Sequence, residues 1–443
     1  MSENLLSFEI YLIMFKELAK YKLKILAKLI IWRHKPVIIG ITGSVGKTGT
    51  KLAIASVLKT KYSVRASVGS YNNEFGLPFT IIGSAAPGKN IFKWIMVGIK
   101  FCVSFFSKNY PKVLILEMGA DRPGDIAYLV SIAKPDIAIV TRVGSVHMEY
   151  FDGPDGLQRE KSTIIHFLGK EGIAILNSDD ARVMAMKELH SGKILTYGLG
   201  EQADVQGVDM KIYQYTDANL HDLTESLGMK FEVIHDDWQM PVNAKGLLGR
   251  PNLYSILAAF TVGRIFNIPP KNIANVFLKY ELPPGRLRPL SGIKNAIILD
   301  DSYNSSPEAA EESLRVLREI KGKRRIAVLG DMLELGPTTE MLHRKIGRSV
   351  NDLRIDLLIT VGRRAAFIAD EARNRGFAKS RIKEYETSDD ARLPLQRGLS
   401  EGDVVLVKGS QGMRMERIVK EIMAEPEHAG DLLCRQDATW AKK

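Results

Sequence analysis

The sequence Gly40-Ile41-Thr42-Gly43-Ser44-Val45-Gly46-Lys47-Thr48 follows an apolar run that begins at Val37 and precedes a helical pattern. In such a strand–loop–helix, glycines let backbone N–H groups point at phosphate oxygens, and the helix N-terminus adds positive potential. Lys47 and Thr48 are placed to reach phosphate and Mg²⁺. Ile41 stands where the strict P-loop pattern has glycine, so the match is to a variant. The stretch predicts a nucleotide-phosphate site formed by Gly43, Ser44, Val45, Gly46, Lys47 and Thr48.

Short β-rich runs alternate with helical patterns on both sides of this loop. Strands separated by helices predict a parallel sheet with helices on both faces and ligands at the carboxyl ends of the strands. From about Asp204 to Pro241 the pattern becomes polar and alternating, which predicts an antiparallel elaboration. Pro283-Pro284-Gly285 breaks the chain and is interpreted as a hinge. A second alternating series follows it.

We therefore predict an α/β protein with a P-loop central ATPase domain and a C-terminal Rossmann-like domain, preceded by an amphipathic N-terminal helix. A chain of 443 residues exceeds one ordinary core, which agrees with two or three domains. The predicted boundaries are 1–35 for the basic N-terminal helix, 36–284 for the central ATP-binding domain, 285–424 for the C-terminal domain, and 425–443 for a loosely ordered tail.

Composition narrows the classes of partner. The formal charge of +11 is compatible with nucleic acid, an anionic membrane or polyanionic small substrates. Nucleic acid is disfavoured, because the sequence has neither an aromatic RNA-binding pattern nor a paired Cys/His finger. The two cysteines, Cys102 and Cys434, exclude a disulfide framework and a four-cysteine zinc site, and they favour the cytoplasm. Residues 1–35 lack the pattern of a signal peptide.

The N-terminal segment, residues 5–32, is rich in large apolar side chains and carries a lysine at every fourth position from Lys16 to Lys28. This spacing places the lysines on one helical stripe, with the apolar residues elsewhere on the helix. Two interpretations stay open: peripheral contact with an anionic inner leaflet, or packing on the protein's own core or on a partner. A second apolar stretch, Ile91 to Phe106, is expected to be a buried helix.

Three polar side chains follow predicted elements near the phosphate loop. Glu117 ends the run that starts at Val113, and a hard cation bridging phosphates needs such an oxygen ligand. His147 follows the next strand and should reach the same edge of the sheet. Lys161 lies in a helical segment. Taken alone, a glutamate after a strand is usually a capping or solvated residue, a single histidine is more often structural than a ligand, and a helical lysine is ordinarily on the surface.

Several motifs occur together in one order. They are YNNEFGLP at 71–78, LEMGA at 116–120, DDSYNSSP at 300–307, AVLGDMLELG at 327–336 and VKGSQGMR at 407–414. With TGSVGKT at 42–48, this ordered set resembles the Mur ligase family of ATP-dependent amide-forming enzymes, over residues 36 to 424. In this family a peptide carboxylate is phosphorylated by ATP, and an amine then attacks the acyl phosphate to form an amide.

The resemblance implies a role for each matching residue. Catalytic roles fall to Lys47, Glu117, His147 and Lys161, the last matching a lysine that is carbamylated. The metal ligands are Thr48, Glu117 and His147, and the cofactors are ATP and Mg²⁺. Beyond the phosphate loop, ATP is contacted by Asn252, Arg286 and Asp301. The acyl and dipeptide substrates face Asn72, Asn73, Tyr303, Asn304 and Lys408.

The sequence departs from the family in its leading segment. Members of this type carry a leading UDP-sugar domain, whereas only residues 1–35 precede the central domain here. Pro251 replaces a usual histidine, and Arg142 replaces a common asparagine. We predict a cytoplasmic, monomeric ligase of peptidoglycan-precursor synthesis that adds D-alanyl-D-alanine to a muramoyl tripeptide. Two alternatives stay open: a ligase acting on a lipid-linked or other carboxylate acceptor, and a catalytically silent membrane-associated binding protein.

Overall fold

The chain is described from a computed structural model that covers residues 2–67, 69, 71–88, 90–144, 150–215, 226–236, 238–437 and 440. Its contacts divide it into two compact units. The first contains Met1–Val143, Tyr150–Gln206 and Tyr254–Ile273. The second contains mainly Gly207–Leu253 and Ala274–Lys443.

The described strands are β1 (Val37–Thr42), β2 (Val64–Ala66), β3 (Val113–Glu117), β4 (Ile137–Val140), β5 (Ile173–Asn177), β6 (Lys193–Gly198), β7 (Val205–Gln214), β8 (Leu227–His235), β9 (Trp238–Lys245), β10 (Arg288–Ser291), β11 (Ile297–Asp301), β12 (Arg324–Gly330), β13 (Leu357–Val361), β14 (Ile382–Tyr385) and β15 (Asp403–Lys408).

The described α-helices are α1 (Ser2–His34), α2 (Lys47–Leu58), α3 (Gly76–Ile82), α4 (Ile91–Phe106), α5 (Asp125–Ile132), α6 (Gly153–His166), α7 (Ala181–Met184), α8 (Gly249–Ile265), α9 (Pro270–Val276), α10 (Pro307–Glu319), α11 (Thr339–Asp352), α12 (Ala366–Asn374), α13 (Ser388–Gly398), α14 (Glu416–Ile422) and α15 (Ala429–Leu432). Short 3-10 helices lie at Ala185–Leu189, Ile293–Asn295, Gly336–Thr338, Lys379–Arg381, Gln411–Met413 and Pro426–His428.

The first unit is built on a parallel sheet in the order β2-β3-β1-β4-β5-β6, as the alternating pattern predicted. Strands β3 and β4 are buried along their whole length, which is typical of a parallel sheet covered on both faces. In the register of β1 and β3, Ile41 lies opposite Glu117, and Thr42 lies opposite Val140 of β4. The carboxyl ends of these three strands therefore meet beside the loop at 43–46.

Helix α1 packs one side on the core of the first unit. Leu23, Ala27 and Ile30 are buried. Lys20 pairs with Glu74 at 3.3 Å, and Lys24 donates to Ser131 Oγ at 2.7 Å. Packing on the protein's own core thus accounts for this side of the helix, and two lysines of the predicted stripe face the protein.

Helix α4 contradicts the expectation of a buried helix for Ile91 to Phe106. Only Val97 and Ser104 are buried, and Ile91, Phe92 and Phe106 are 71%, 74% and 77% exposed. The expectation was wrong because overall apolar content does not distinguish a helix buried all round from one that packs a single side. No helix in the described part of the chain is long and apolar enough to cross a bilayer.

The second unit contains a six-stranded sheet in the order β10-β11-β15-β12-β13-β14. Only β10 runs antiparallel, and the other pairs are parallel, which confirms the predicted second α/β series. Register places Asp301, at the end of β11, opposite Lys408, at the end of β15. The predicted antiparallel segment is present in β8 and β9.

Residues 426–437 are ordered where we predicted a loosely ordered tail, while residues 438–439 and 441–443 lie outside the described part of the chain. Two short helices occupy Pro426–His428 and α15, and Leu433 and Arg435 are buried. Because polar, charged residues dominate this segment in the sequence, its anchoring by a buried arginine could not be read from composition.

Candidate active site

The loop between β1 and α2 depends on two glycines with positive φ angles, Gly43 at 142° and Gly46 at 90°. A Cβ atom at Gly43 would clash with Thr141 Oγ1, so only glycine fits there. Helix α2 begins at Lys47, and Gly46 supplies no side-chain cap. The first N–H groups of α2 and the helix dipole therefore favour an anion at this point.

The loop is held from the end of β4. Thr141 Oγ1 donates to the Val45 carbonyl at 2.7 Å, and the Ser44 N–H donates to the Arg142 carbonyl at 2.6 Å. Lys47 Nζ donates to the Gly43 carbonyl at 2.6 Å. Sequence reasoning missed Thr141, although its position directly after β4 was a usable signal.

Glu117 is the carboxylate at the centre of this cluster. Thr48 Oγ1 lies 3.1 Å from Glu117 Oε2, and Lys51 Nζ lies 3.1 Å from the same oxygen. Lys51 is fully buried and also donates to the Gly69 carbonyl. Sequence reasoning missed Lys51; it lies four residues after Lys47, a spacing that places two side chains on one helix face.

Lys161 reaches the same region from α6. It is 2% exposed, and its pKa is lowered to about 7, first by burial and then by the charge of Lys47. The neighbouring Glu160 opposes this shift, but its carboxylate accepts the N–H groups of Gly124 and Ile126, both at 2.8 Å, and so caps α5. Near pH 7, then, a large fraction of Lys161 is the neutral amine.

His147 lies outside the described residues. Within the part that is described, no group of three or more His, Cys, Asp or Glu side chains could hold a metal ion. Thr48 and Glu117 nevertheless offer two oxygens beside the phosphate loop. This donor set fits Mg²⁺, which takes few protein ligands and completes its shell with phosphate and water.

Asn72 and Asn73 lie in the same unit but differ in what they contact. The Gly119 N–H, two residues after Glu117, donates to the Asn72 carbonyl at 2.8 Å. Asn73 Oδ1 accepts the Gly76 N–H at 2.9 Å and supports the start of α3. Asn72 is thus brought to the end of β3, while the Asn73 side chain has a structural task.

In the second unit, three predicted residues meet at the carboxyl ends of β11 and β15. Lys408 Nζ lies 2.6 Å from Asp301 Oδ2 and also donates to the Asn304 carbonyl at 3.1 Å. Asp301 accepts a further hydrogen bond from Ser313 Oγ at 2.6 Å. Lys408 is 2% exposed, so its charge is neutralised almost entirely by these protein groups.

Tyr303 carries two guanidinium groups near its ring, Arg286 at 4.0 Å and Arg435 at 5.3 Å. Arg435 comes from the C-terminal segment and donates to the Tyr303 carbonyl and to Glu416 Oε2, the latter at 2.9 Å. Sequence reasoning missed Arg435, and no local pattern could have marked it. Its left-handed backbone conformation, φ 59°, is visible only in the structure.

Asp300 precedes Asp301 in β11, and Asn252 lies in the first turn of α8. Asp300 is fully buried and accepts the N–H groups of Gly285 and Ser302, and burial raises its pKa to about 6. Asn252 Nδ2 donates to the Leu248 carbonyl at 2.8 Å, at the start of α8. Among the described residues it shares no hydrogen bond with the Asp301–Lys408 pair.

Two family models match these two regions. Residues 41–263 match the Mur ligase middle domain, and residues 285–411 match the Mur ligase, glutamate ligase domain. The chain belongs to the Mur ligase family. The resemblance seen in the sequence is thereby confirmed, and this Mur ligase is an ATP-dependent ligase.

Relatives of this Mur ligase are similar over most of its length. The UDP-N-acetylmuramoyl-tripeptide–D-alanyl-D-alanine ligase of Bacillus subtilis is 30% identical over 393 residues, 88% of this chain and 76% of that protein. The ligase of the same name from Escherichia coli is 27% identical over 397 residues, 87% of this chain and 76% of that protein.

Solved structures agree with the fold. The MurF ligase of Thermotoga maritima in complex with ADP has a TM-score of 0.75 at 27% identity, covering 92% of this Mur ligase and 84% of that chain. MurF from Acinetobacter baumannii has a TM-score of 0.75 at 23% identity, covering 90% and 79%, and supports the fold alone. The roles predicted for individual site residues remain predictions.

Proposed function

We propose that this Mur ligase joins D-alanyl-D-alanine to the tripeptide of a muramoyl-peptide nucleotide and converts ATP to ADP and phosphate. The observation that carries the proposal is the convergence of Lys47, Thr48, Lys51, Glu117 and Lys161 at one edge of the parallel sheet. Packing alone does not require three lysines and a carboxylate at a strand end. The names of the relatives supply the substrates.

We assign phosphate binding to the loop at 43–46 and to the start of α2. The N–H groups at the start of α2 and the Lys47 ammonium would hold the phosphates. Thr48 and Glu117 would hold Mg²⁺, with His147 as the further ligand that the resemblance implies. When bound, Mg²⁺ supplies positive charge to the transferring phosphoryl group.

Lys161 would act as a carbamate. Its neutral amine is a nucleophile, because the lone pair is free of a proton for much of the population near pH 7. Attack on CO₂ forms a C–N bond, releases the amine proton to solvent, and leaves a carboxylate on the side chain. The side chain would thereby become a further carboxylate that helps to organise the metal, as the resemblance implies.

The reaction needs two anions to meet, and clustered cations lower that barrier. The peptide carboxylate attacks the γ-phosphorus, and the bond to ADP breaks. The dipeptide amine then attacks the acyl phosphate, phosphate leaves, and the amine proton is lost. In the second unit, Arg286 and Asp301 would contact the nucleotide, with Asn252 at the adenine, while Tyr303, Asn304 and Lys408 serve the dipeptide.

A lipid-linked acceptor is the second candidate, because the first unit exposes an unusual amount of apolar side-chain surface. On the described part of α1 the exposed large apolar residues are Met14, Leu18, Tyr21, Ile25, Leu29 and Trp32. We propose that residues 5–32 contact the inner face of the plasma membrane through this side, while the protein acts in the cytoplasm as a monomer.

Phosphate release from ATP tests the proposal. We expect release only when tripeptide nucleotide, dipeptide, ATP and Mg²⁺ are all present, and loss of about three orders of magnitude in Lys47→Ala, because a transition-state phosphate contact is removed. Arg417→Ala is the control and should retain full activity, because Arg417 is half-buried, its partner Asp389 is exposed, and neither belongs to the proposed site. Release that ignores the dipeptide would reject the proposed acceptor. Activity only with lipid-linked tripeptide would establish the second candidate.

A further inference from the structure

Helix α4 presents a continuous apolar face to solvent. Its members recur at spacings of three, four and seven, so they share one side of the helix. They are Ile91, Phe92, Ile95, Met96, Ile99, Val103 and Phe106, all between 48% and 77% exposed. We call this set the α4 face. Exposed apolar surface concentrated in this way marks an interaction site rather than ordinary surface composition.

The other side of α4 explains why this face points outward. Trp94, Phe101 and Phe105 pack on the core of the first unit, and Ser104 Oγ donates to the Ile82 carbonyl at 2.6 Å. The helix begins at Asn90, whose side chain accepts the Phe92 N–H. Its orientation is therefore fixed by buried contacts, and turning the α4 face inward would expose three aromatic rings.

A similar stripe lies on α1. Leu18, Tyr21, Ile25, Leu29 and Trp32 are spaced by three or four residues and are exposed. The two helices contact each other: His34 Nε2 lies 2.9 Å from the Ser104 carbonyl oxygen, and α1 packs on both α3 and α4. The α4 face and the α1 stripe thus belong to one body.

The charge around these helices identifies the partner. Residues 90–112 contain four lysines and no acidic residue, and Lys93, Lys100 and Lys108 are exposed. Residues 14–35 contain six lysines and one arginine against one acidic residue, Glu17, although Lys20 and Lys24 face the protein. A second copy of this chain would bring like charges together, whereas an anionic lipid surface offers both hydrocarbon and negative headgroups.

We infer that the α4 face inserts into the interface of an anionic membrane, with the α1 stripe beside it and the flanking lysines at headgroup level. At 1.5 Å per residue, the 16 residues of α4 are roughly 24 Å long, too short to span a bilayer. A helix with one apolar side and a basic border lies in the membrane plane. The inference rests on the membrane contact proposed for residues 5–32, and it makes α4 the main inserted element of that contact.

Vesicle flotation of the full chain tests this inference. The protein should float with vesicles of phosphatidylglycerol and phosphatidylcholine, and not with phosphatidylcholine alone. Ile95→Glu/Ile99→Glu should weaken flotation at least about tenfold, because it places two charges in the apolar layer. Met341→Glu/Leu393→Glu is the matched control: both residues are exposed and apolar, lie in the second unit, and should leave flotation unchanged.

Several results would overturn the inference. Flotation of Ile95→Glu/Ile99→Glu at the wild-type level would do so. If Trp32→Glu abolished flotation while Ile95→Glu/Ile99→Glu left it unchanged, the contact of residues 5–32 would stand without α4. Binding to no vesicle would reject both membrane statements. A wild-type dimer that becomes monomeric in Ile95→Glu/Ile99→Glu would assign the face to a second copy.

A second measurement does not depend on how the glutamate variant folds. Cys102 is exposed on α4, and a polarity-sensitive fluorophore on its thiol should gain intensity with phosphatidylglycerol vesicles. An unchanged signal would contradict insertion. Phosphate release with soluble substrates is measured without lipid, so failure of the ligase proposal remains distinguishable from failure of this one.

Discussion

Lys408 in the second unit and Lys161 in the first show how differently this Mur ligase treats the charge of a buried lysine. Lys408 is 2% exposed and lies 2.6 Å from the Asp301 carboxylate. Lys161 is equally buried, yet no salt bridge joins it to a carboxylate within the described ranges, and its pKa falls to about 7. A buried ammonium must either be paired or lose its proton.

The two lysines therefore have different properties: one holds neighbouring groups in place, and the other has a reactive amine. A paired lysine fixes the groups around it, as Lys408 does for Asp301 and the Asn304 carbonyl. A lysine that is substantially neutral near pH 7 has a reactive lone pair, and Lys161 lies close enough to Lys47 to feel its charge. The lysines around Glu117 in the first unit outnumber the carboxylates, so an anionic substrate should be stabilised most at this cluster.

Of the variants that test this comparison, Lys161→Met should change activity most. We expect activity to fall by at least about two orders of magnitude, because the amine and its carbamate are lost. Stability should move in the opposite direction. Methionine carries no charge, so the free energy of unfolding at pH 6 should increase relative to wild type by roughly a few kcal/mol. Phosphate release in buffer that contains bicarbonate measures the loss of activity, and urea unfolding in bicarbonate-free buffer measures the change in stability.

The sign of the pH dependence follows from the lowered pKa of Lys161. Between pH 7 and about 10.5 the unfolded chain holds this proton and the folded chain does not, so wild-type stability rises with pH. The Lys161→Met variant lacks that contribution, and its advantage should shrink as pH increases. Lys408→Met is the control and should lose stability at pH 6. If Lys161→Met lost as much stability at pH 6 as Lys408→Met, the contrast between the two lysines would be wrong.

A double-mutant cycle on Asp301 and Lys408 tests whether the paired lysine stabilises the fold together with its partner. Asp301→Asn and Lys408→Met should each lower the free energy of unfolding by about 3–5 kcal/mol, because each leaves a buried charge without its partner. The double variant should lose less than the sum, by more than about 1 kcal/mol. Urea unfolding of the four proteins measures the coupling. Additive losses would mean that the pair does not act as a unit.

Arg435 should have the smallest effect. Arg435→Ala removes a buried partner of Glu416, but Arg414 remains 2.6 Å from the same carboxylate. We expect a loss of about 1–3 kcal/mol and a raised KM for the dipeptide, since Arg435 also donates to the carbonyl of Tyr303, which we place at the dipeptide. Arg435→Lys should restore little, because lysine lacks the guanidinium fork. Thermal unfolding of Arg417→Ala gives the surface-pair control, and a loss no larger than its own would contradict this expectation.

The elements most accessible to prediction were those with strong local signals. The run from Val37, the glycines at 43 and 46, and the helix after Pro307 all follow from residue type and spacing, and the structure contains each of them. Lys51, Thr141 and Arg435 were missed, because their importance comes from partners 66, 96 and 19 residues away along the chain.

The orientation of helices was the other failure. Sequence predicted that Ile91 to Phe106 forms a helix, which is correct, and that it is buried, which is wrong. Which side of an apolar helix finds a partner depends on the elements beside it, here the core that receives Trp94 and Phe101. The order of residues 426–437 was missed because it depends on long-range contacts, such as the buried pair of Arg435 and Glu416 and the burial of Leu433.

The sequence by itself determined the alternation of strands and helices, the phosphate loop and the family, because these depend on local periodicity and on residues adjacent in the chain. Only the tertiary structure decided that Lys161 is buried beside Lys47, that Lys408 is paired with Asp301, and that α4 faces outward. Burial and pairing are properties of groups brought together from distant positions, and they set the proton affinity of an amine and the exposure of a helix face.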